Sequence, residues 1–448
     1  MSFTSLGYFP LLAAAAVGYR FLPKKVHIWY LLLLSWWIYF LYGWQHFGVL
    51  LVMTEFSYFT GRLIDRTINQ KWKKRILVMG VSGMVFFLFY SKWKGLLFGD
   101  SRIVPVGISF YMFQALSYLA DIYYGEPAER SFFKYALYLG FFPQVVAGPI
   151  EPADHLIPQF SKKQVTGEDV HTGITYLLSG CMRKFVIADG MGRIVDAVYA
   201  EVSEQSGINL WLATIFFAIQ IYGDFSGYTH IAIGSARMFG IRLTENFNRP
   251  YLAEGCRDFW KRWHMTLTQW FTKYLYIPLG GNRKKYRNIM IVFLVSGLWH
   301  GMDLTFLCWG AYFGILRIVE ELLKKKYAKG RKCREESRKI QFLRRGITFF
   351  LVCLSWVFFR SSDMREVCEV FWRMFLLKKG TAPEIGLLQL AGAFFRIGLL
   401  AGLPLILKEQ EDEKKRYYRN AVLTVIIVIG MLLNFQNGTD SSFIYFQF

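Results

Sequence analysis

Acidic residues are scarce in this chain: 32 Asp and Glu stand against 53 Lys and Arg, a formal net charge of +21 over 448 residues. Charge of either sign is thin, 19% of residues where soluble domains carry about 25%. With 54% hydrophobic and 18% aromatic residues, that shortage excludes an ordinary soluble domain. The six cysteines (181, 256, 308, 333, 353 and 368) form no CxxC pair and fall mostly in or beside apolar runs, so they read as reduced, buried thiols. Cys333, in a basic loop, is open to palmitoylation. No HExxH or Cys/His spacing exists to hold zinc, so no metal is expected. Zinc-finger spacing and an arginine-rich tail are also missing, so the excess of base does not read as nucleic-acid binding. The apolar runs are continuous and do not alternate, which excludes a β-barrel. No basic n-region or clear cleavage site precedes Leu6–Leu22, which is expected to be a retained helix.

What the chain does have is a succession of apolar runs. They lie near 5–22, 28–53, 76–97, 103–124, 131–150, 173–200, 209–234, 288–300 with 302–320, 346–360, 386–407 and 419–434. At about 17–25 residues per crossing they predict an all-α polytopic membrane protein with roughly eleven transmembrane helices. Short basic loops divide them, at Lys24-Lys25, Lys71–Arg75, Arg283–Arg287 and Lys324–Arg345. Such loops set topology and meet anionic lipid headgroups. No second soluble domain and no internal repeat is visible. The expected organisation is one membrane domain over 1–448: N-terminal helices 1–100, a core at 101–320, and C-terminal helices with a tail at 321–448.

Two stretches do not read as plain spans. Residues 141–152 (FFPQVVAGPIEP) carry three prolines and a glycine, and 238–282 is amphipathic and rich in Trp, Tyr and Arg, closing on PLGGN. Broken backbone survives at membrane depth only where protein buries it or where it lines a wet cavity. These segments therefore predict re-entrant or interfacial helices around a central cavity.

The residues with chemistry cluster there. His300 lies inside the apolar stretch IMIVFLVSGLWHG (289–301), and an ionisable group at such a place marks function by default. The bland alternative is a histidine bonded to a neighbouring helix. Ser296, Gly297 and Gly301 beside it suggest room for a substrate to approach a neutral imidazole acting as general base. His264, in RDFWKRWHMTLTQWF (257–271), is either a member of an interfacial aromatic belt or a hydrogen-bond donor to a reacting group. Between Arg257 and Arg287, Asp258 is the sole acid among Arg257, Lys261, Arg262, Lys273, Arg283, Lys284, Lys285 and Arg287. Those bases either meet lipid headgroups or form a funnel for a phosphorylated donor, with Gly280-Gly281 allowing backbone approach to an anion. Asp224, His230, His155 and Glu151 receive no chemical step from spacing.

The runs RDFWKRWHMTLTQWFTKYLYIPLGGNRK (257–284) and SGLWHG (296–301) resemble the core of the membrane-bound O-acyltransferases, in their bacterial polysaccharide-acetylating branch. FFPQVVAGPIEPADHLIPQF (141–160), YGDFSGYTHIAIGSARMFGI (222–241), NFNRPY (246–251) and the terminal FIYFQF (443–448) extend the resemblance over the chain from about residue 100 onward. The resemblance implies helices in a ring around a funnel and a location in the bacterial inner membrane. It makes His300 the catalytic base and His264 the second active-site histidine. Acetyl-CoA is the implied donor, its phosphates met by Arg257, Lys261, Arg262, Lys273, Arg283 and Lys284. The implied acceptor is an extracytoplasmic polysaccharide, reached through a separate SGNH-type transferase, and Tyr445 in the tail is the candidate to relay the acyl group. D-alanyl transfer to teichoic acid is the enzymatic rival. A transporter or flippase is the non-enzymatic one, but it calls for coupling carboxylates within the spans and for repeat symmetry. The first are sparse here, and the second is not seen.

Overall fold

A lipid bilayer offers the backbone no water to bond, so a chain this apolar must satisfy its amides internally. The computed structural model describes residues 5, 7–98, 105–146, 148–161, 164–328, 337–406 and 413–435. Among these residues the regular structure is helical throughout and no strand occurs. Four helices are long and apolar enough to cross a membrane: Trp44–Arg66, Gln70–Ser91, Gly207–Arg237 and Arg338–Arg360. Other apolar runs are divided. The run at 131–150 splits into helices Phe132–Gly140 and Phe142–Val145, and the run at 173–200 passes through a wide, π-type segment at Met182–Ala188.

The chain falls into two compact units, Met1–Leu177 with Tyr228–Glu245, and Leu178–Gly227 with Asn246–Phe448. In the first, small residues let helices pack closely: a Cβ on Gly61 would lie 2.7 Å from the Tyr118 ring and 2.9 Å from Ile122. Interhelical hydroxyl bonds supplement the packing, Tyr135 Oη donating to Ser57 Oγ at 2.7 Å. The irregular stretch after Phe141 is buried, and protein meets several of its polar groups. Tyr138 Oη donates to the Glu151 carbonyl at 2.9 Å, and Ser35 Oγ accepts from Phe142 N at 3.1 Å. Protein burial of this kind is what such backbone requires at membrane depth.

The second unit is built around a helical hairpin, Lys285–His300 against Leu304–Ala328. Glycines set how near the two helices come. A Cβ on Gly297 would stand 2.3 Å from the Phe306 carbonyl oxygen, and one on Gly310 would stand 2.4 Å from that of Phe293. Reciprocal small-residue contacts of this kind are how membrane helices gain dispersion energy. The amphipathic stretch before the hairpin does not form one helix. It breaks into Cys256–Trp260, Met265–Phe271, a wide turn at Thr272–Tyr276 and a tight turn at Gly281–Lys284.

Candidate functional site

His264 occupies the break between two of these short helices, as N-cap of Met265–Phe271, with φ 43° and ψ 54°. A non-glycine residue in the left-handed region costs on the order of 1–3 kcal/mol and persists only where its surroundings enforce it. Here they do so from both sides. Asn248 N donates to the Arg262 carbonyl at 2.9 Å, and Met265 N donates to the Asn246 carbonyl at 3.0 Å. The Asn246 side chain closes the arrangement. Its Oδ1 lies 3.1 Å from Thr266 N, 3.0 Å from Thr266 Oγ1 and 3.2 Å from His264 Nδ1. The histidine is 1% exposed and the asparagine 0%. His264 lies outside the four long apolar helices, and burial pushes its pKa well down, so the ring is neutral.

His300 is the last residue of the helix Lys285–His300 and is also buried. Aromatic rings surround it: Trp299 at 4.6 Å between centroids, Trp309 and Phe359 at 5.1 Å each, and Phe306 at 6.4 Å. Trp299 joins the two sites, because its ring also lies 6.3 Å from that of His264. Phe225 meets His264 edge-on at 4.8 Å. One indole therefore contacts both imidazoles.

The glycines beside His300 do not serve the purpose expected of them. Gly297 is filled by the Phe306 carbonyl, and a Cβ on Gly301 would lie 2.3 Å from the Phe306 ring. They admit the neighbouring helix.

The basic cluster also divides. Arg262 pairs with Asp258 at 2.9 Å, and Arg257 takes Glu320 on its backbone N–H at 2.8 Å and Glu321 on its guanidinium at 3.9 Å. Glu321 also bonds Lys285 and Arg317, while Glu320 bonds Arg317 and Lys324. Lys261 and Lys273 line a cavity of about 330 Å³ with Trp260, Met265 and Thr268. Arg283 and Lys284 line a larger one, about 760 Å³, with Lys285, Arg287, Lys324 and Lys325. Among the described residues neither Arg283 nor Lys284 has a carboxylate partner, and the second cavity keeps a cationic surplus suited to a polyanion.

Several partners were not visible in the sequence. Lys184, 2% exposed, bridges Asp189 and Asp224 at 2.8 Å each, which gives Asp224 a lysine partner. In the first unit, Glu151 bonds His155 at 2.6 Å and the Thr244 hydroxyl at 3.1 Å. Asn246 lies in NFNRPY, but no charge or spacing pointed to it as the group that holds His264. Among the described residues no group of three or more His, Cys, Asp or Glu could hold a metal ion. Tyr445 lies outside the described residues.

Comparison with known proteins adds context to this geometry. The family model described as MBOAT, membrane-bound O-acyltransferase family, matches residues 57–335. A Pseudomonas putida protein named "Probable alginate O-acetylase AlgI" is 30% identical, covering 96% of this chain and 98% of its own length. A Helicobacter pylori peptidoglycan O-acetyltransferase is 33% identical over 82% of this chain and 76% of its own. A Bacillus subtilis teichoic acid D-alanyltransferase is 27% identical over 58% of this chain and 70% of its own.

Proposed function

The chain belongs to the membrane-bound O-acyltransferase family, and from that premise we propose that it moves acetyl from cytoplasmic acetyl-CoA across a bacterial inner membrane to O-acetylate an envelope polysaccharide. It is a membrane acyltransferase of the branch that contains the alginate O-acetylases. The observation that supports the finer reading is the meeting of two buried histidines on the Trp299 ring. In this reading the chain acts as one membrane domain, with helices ringed around a funnel that brings the donor to the two histidines.

His300 takes the proton of an acceptor hydroxyl as its oxygen attacks the thioester carbonyl. The tetrahedral oxyanion is held by a neighbouring donor, His264 or a group that His264 positions. Collapse breaks the carbon–sulfur bond and releases the coenzyme thiolate, which regains a proton from the His300 imidazolium. The phosphates of the donor are met by the basic residues before and at the start of the hairpin, above all Arg283 and Lys284, which line the larger cavity. In this reading the acceptor hydroxyl is that of Tyr445, and on the far side a serine hydroxyl of an SGNH-type transferase attacks the acetyl-tyrosine ester, taking the acetyl and restoring the tyrosine hydroxyl.

The test is transfer of radiolabelled acetyl from acetyl-CoA by membranes containing the full chain. His300→Ala should stop transfer while the protein still accumulates and folds, and normal transfer by that variant would overturn the assignment. Trapping an acyl-Tyr445 by mass spectrometry tests the relay; full activity in Tyr445→Phe would refute it. D-alanyl thioesters as donor separate the rival reading, which the Bacillus subtilis relative keeps in view.

A further inference from the structure

The bonds around Asn246 fix the chemical identity of the second histidine. Three donors converge on one side-chain atom of Asn246: Thr266 N at 3.1 Å, Thr266 Oγ1 at 3.0 Å and His264 Nδ1 at 3.2 Å. A backbone N–H can only donate, so the asparagine atom facing Thr266 N must be the carbonyl oxygen and not the amide nitrogen. An oxygen of that kind can only accept, so Nδ1 of His264 carries a hydrogen. In a neutral imidazole the other nitrogen then bears the lone pair.

We infer that Asn246 is a positioning residue that locks His264 as the Nδ1–H tautomer, so that His264 presents a hydrogen-bond acceptor at Nε2. The inference rests on the proposed acyl transfer and chooses between its two options for the oxyanion. A neutral ring in this tautomer cannot donate from Nε2 to a developing oxyanion. It receives a hydrogen bond from an O–H or N–H of a substrate, and the oxyanion falls to another group.

The setting favours such a lock. Asn246 and His264 are both fully buried, and the left-handed backbone of His264 is clamped by main-chain bonds on either side, from Asn248 to Arg262 and from Met265 to Asn246. The rings packed on His264, Phe225 and Trp299, bear no charge, and burial is the larger influence on the imidazole, pushing its pKa down against a backbone hydrogen bond that raises it.

The experiment uses the full chain in lipid nanodiscs with ¹⁵N-labelled histidine. Seven histidines give a tractable spectrum, and the His264 signals are those lost in His264→Gln. Wild type should show a protonated Nδ1 and a bare Nε2. Asn246→Asp keeps an oxygen for all three donors and adds a charge, so the same tautomer should persist while its protonation midpoint rises by about 1–3 units. The acid limb of the acetyl-transfer pH profile should move up with it, because a protonated His264 can no longer accept. Asn246→Ala should mix the two tautomers. The other six histidine signals report whether each variant is folded. A bare Nδ1 in wild type would overturn the inference, and so would an Asn246→Asp variant whose pH profile is unchanged. If wild type transfers no acetyl while its His264 spectrum is as expected, the proposed function fails and the tautomer assignment stands.

Discussion

His264 and His300 lie against the same indole, but the chain secures them in different ways. His264 sits in a break between short helices, where a left-handed backbone and the Asn246 hydrogen bonds dictate its orientation. His300 ends a long helix, among four aromatic rings, with glycines drawing the next helix against it. A polar lock determines which nitrogen carries a hydrogen. An aromatic cage determines position and keeps water away. In the proposed reaction the first histidine has a preset hydrogen-bonding role, and the second exchanges the proton.

The largest effect expected from breaking this arrangement is at His300. His300→Ala should lower acetyl transfer by about 10²–10⁴-fold, the usual worth of a general base, and steady-state transfer assays on membranes measure it. Next in size is the cage. Gly297→Leu drives a side chain into the Phe306 carbonyl and should cost about 1–3 kcal/mol of stability, typical of overpacking. A lowered thermal midpoint in detergent checks it, with Gly346→Ala, where a Cβ meets nothing within 4 Å, as the control.

The basic cavity is expected to respond more mildly. Arg283→Ala and Lys284→Ala should each raise the KM for acetyl-CoA roughly tenfold, the equivalent of about 1.4 kcal/mol, and leave kcat unchanged. The effect should shrink at high salt. Arg262→Ala should do least. Its pair with Asp258 is about one-third exposed on both sides, and exposed pairs contribute about 0–1 kcal/mol. A large loss of donor affinity in Arg262→Ala, with none in Arg283→Ala, would mean that the donor binds elsewhere.

Much of this site was legible in the sequence, and the gaps have physical causes. His300 stood out because an ionisable group among apolar residues is costly, whereas His264 stayed between an aromatic-belt residue and a hydrogen-bond donor until the family resemblance singled it out. Asn246 did not stand out, since an uncharged side chain 18 residues from its partner leaves no pattern. Glu320 and Glu321 were missed as partners of Arg257 and Lys285 because they come from the other arm of the hairpin. Along the chain alone, Arg257–Arg287 had seemed opposed by Asp258 only. Gly297 and Gly301 were read as room for substrate, yet a small residue serves helix packing equally well, and only the neighbouring Phe306 decides between the two. Apolar runs do not by themselves give crossings. The run at 131–150 is broken around Phe141, ahead of Pro143, and a run of residues is not a length along one axis.

The central claim is that the two histidines act as one unit in acyl transfer, and a double-variant cycle tests it most directly. Initial rates of acetyl transfer from acetyl-CoA would be measured for His300→Ala, His264→Gln and the combined variant. Groups that act on one transition state lose most of their effect with the first substitution. The double variant should therefore be no slower than the worse single one. Two independent losses that multiply, or a single variant with undiminished rate, would contradict the account.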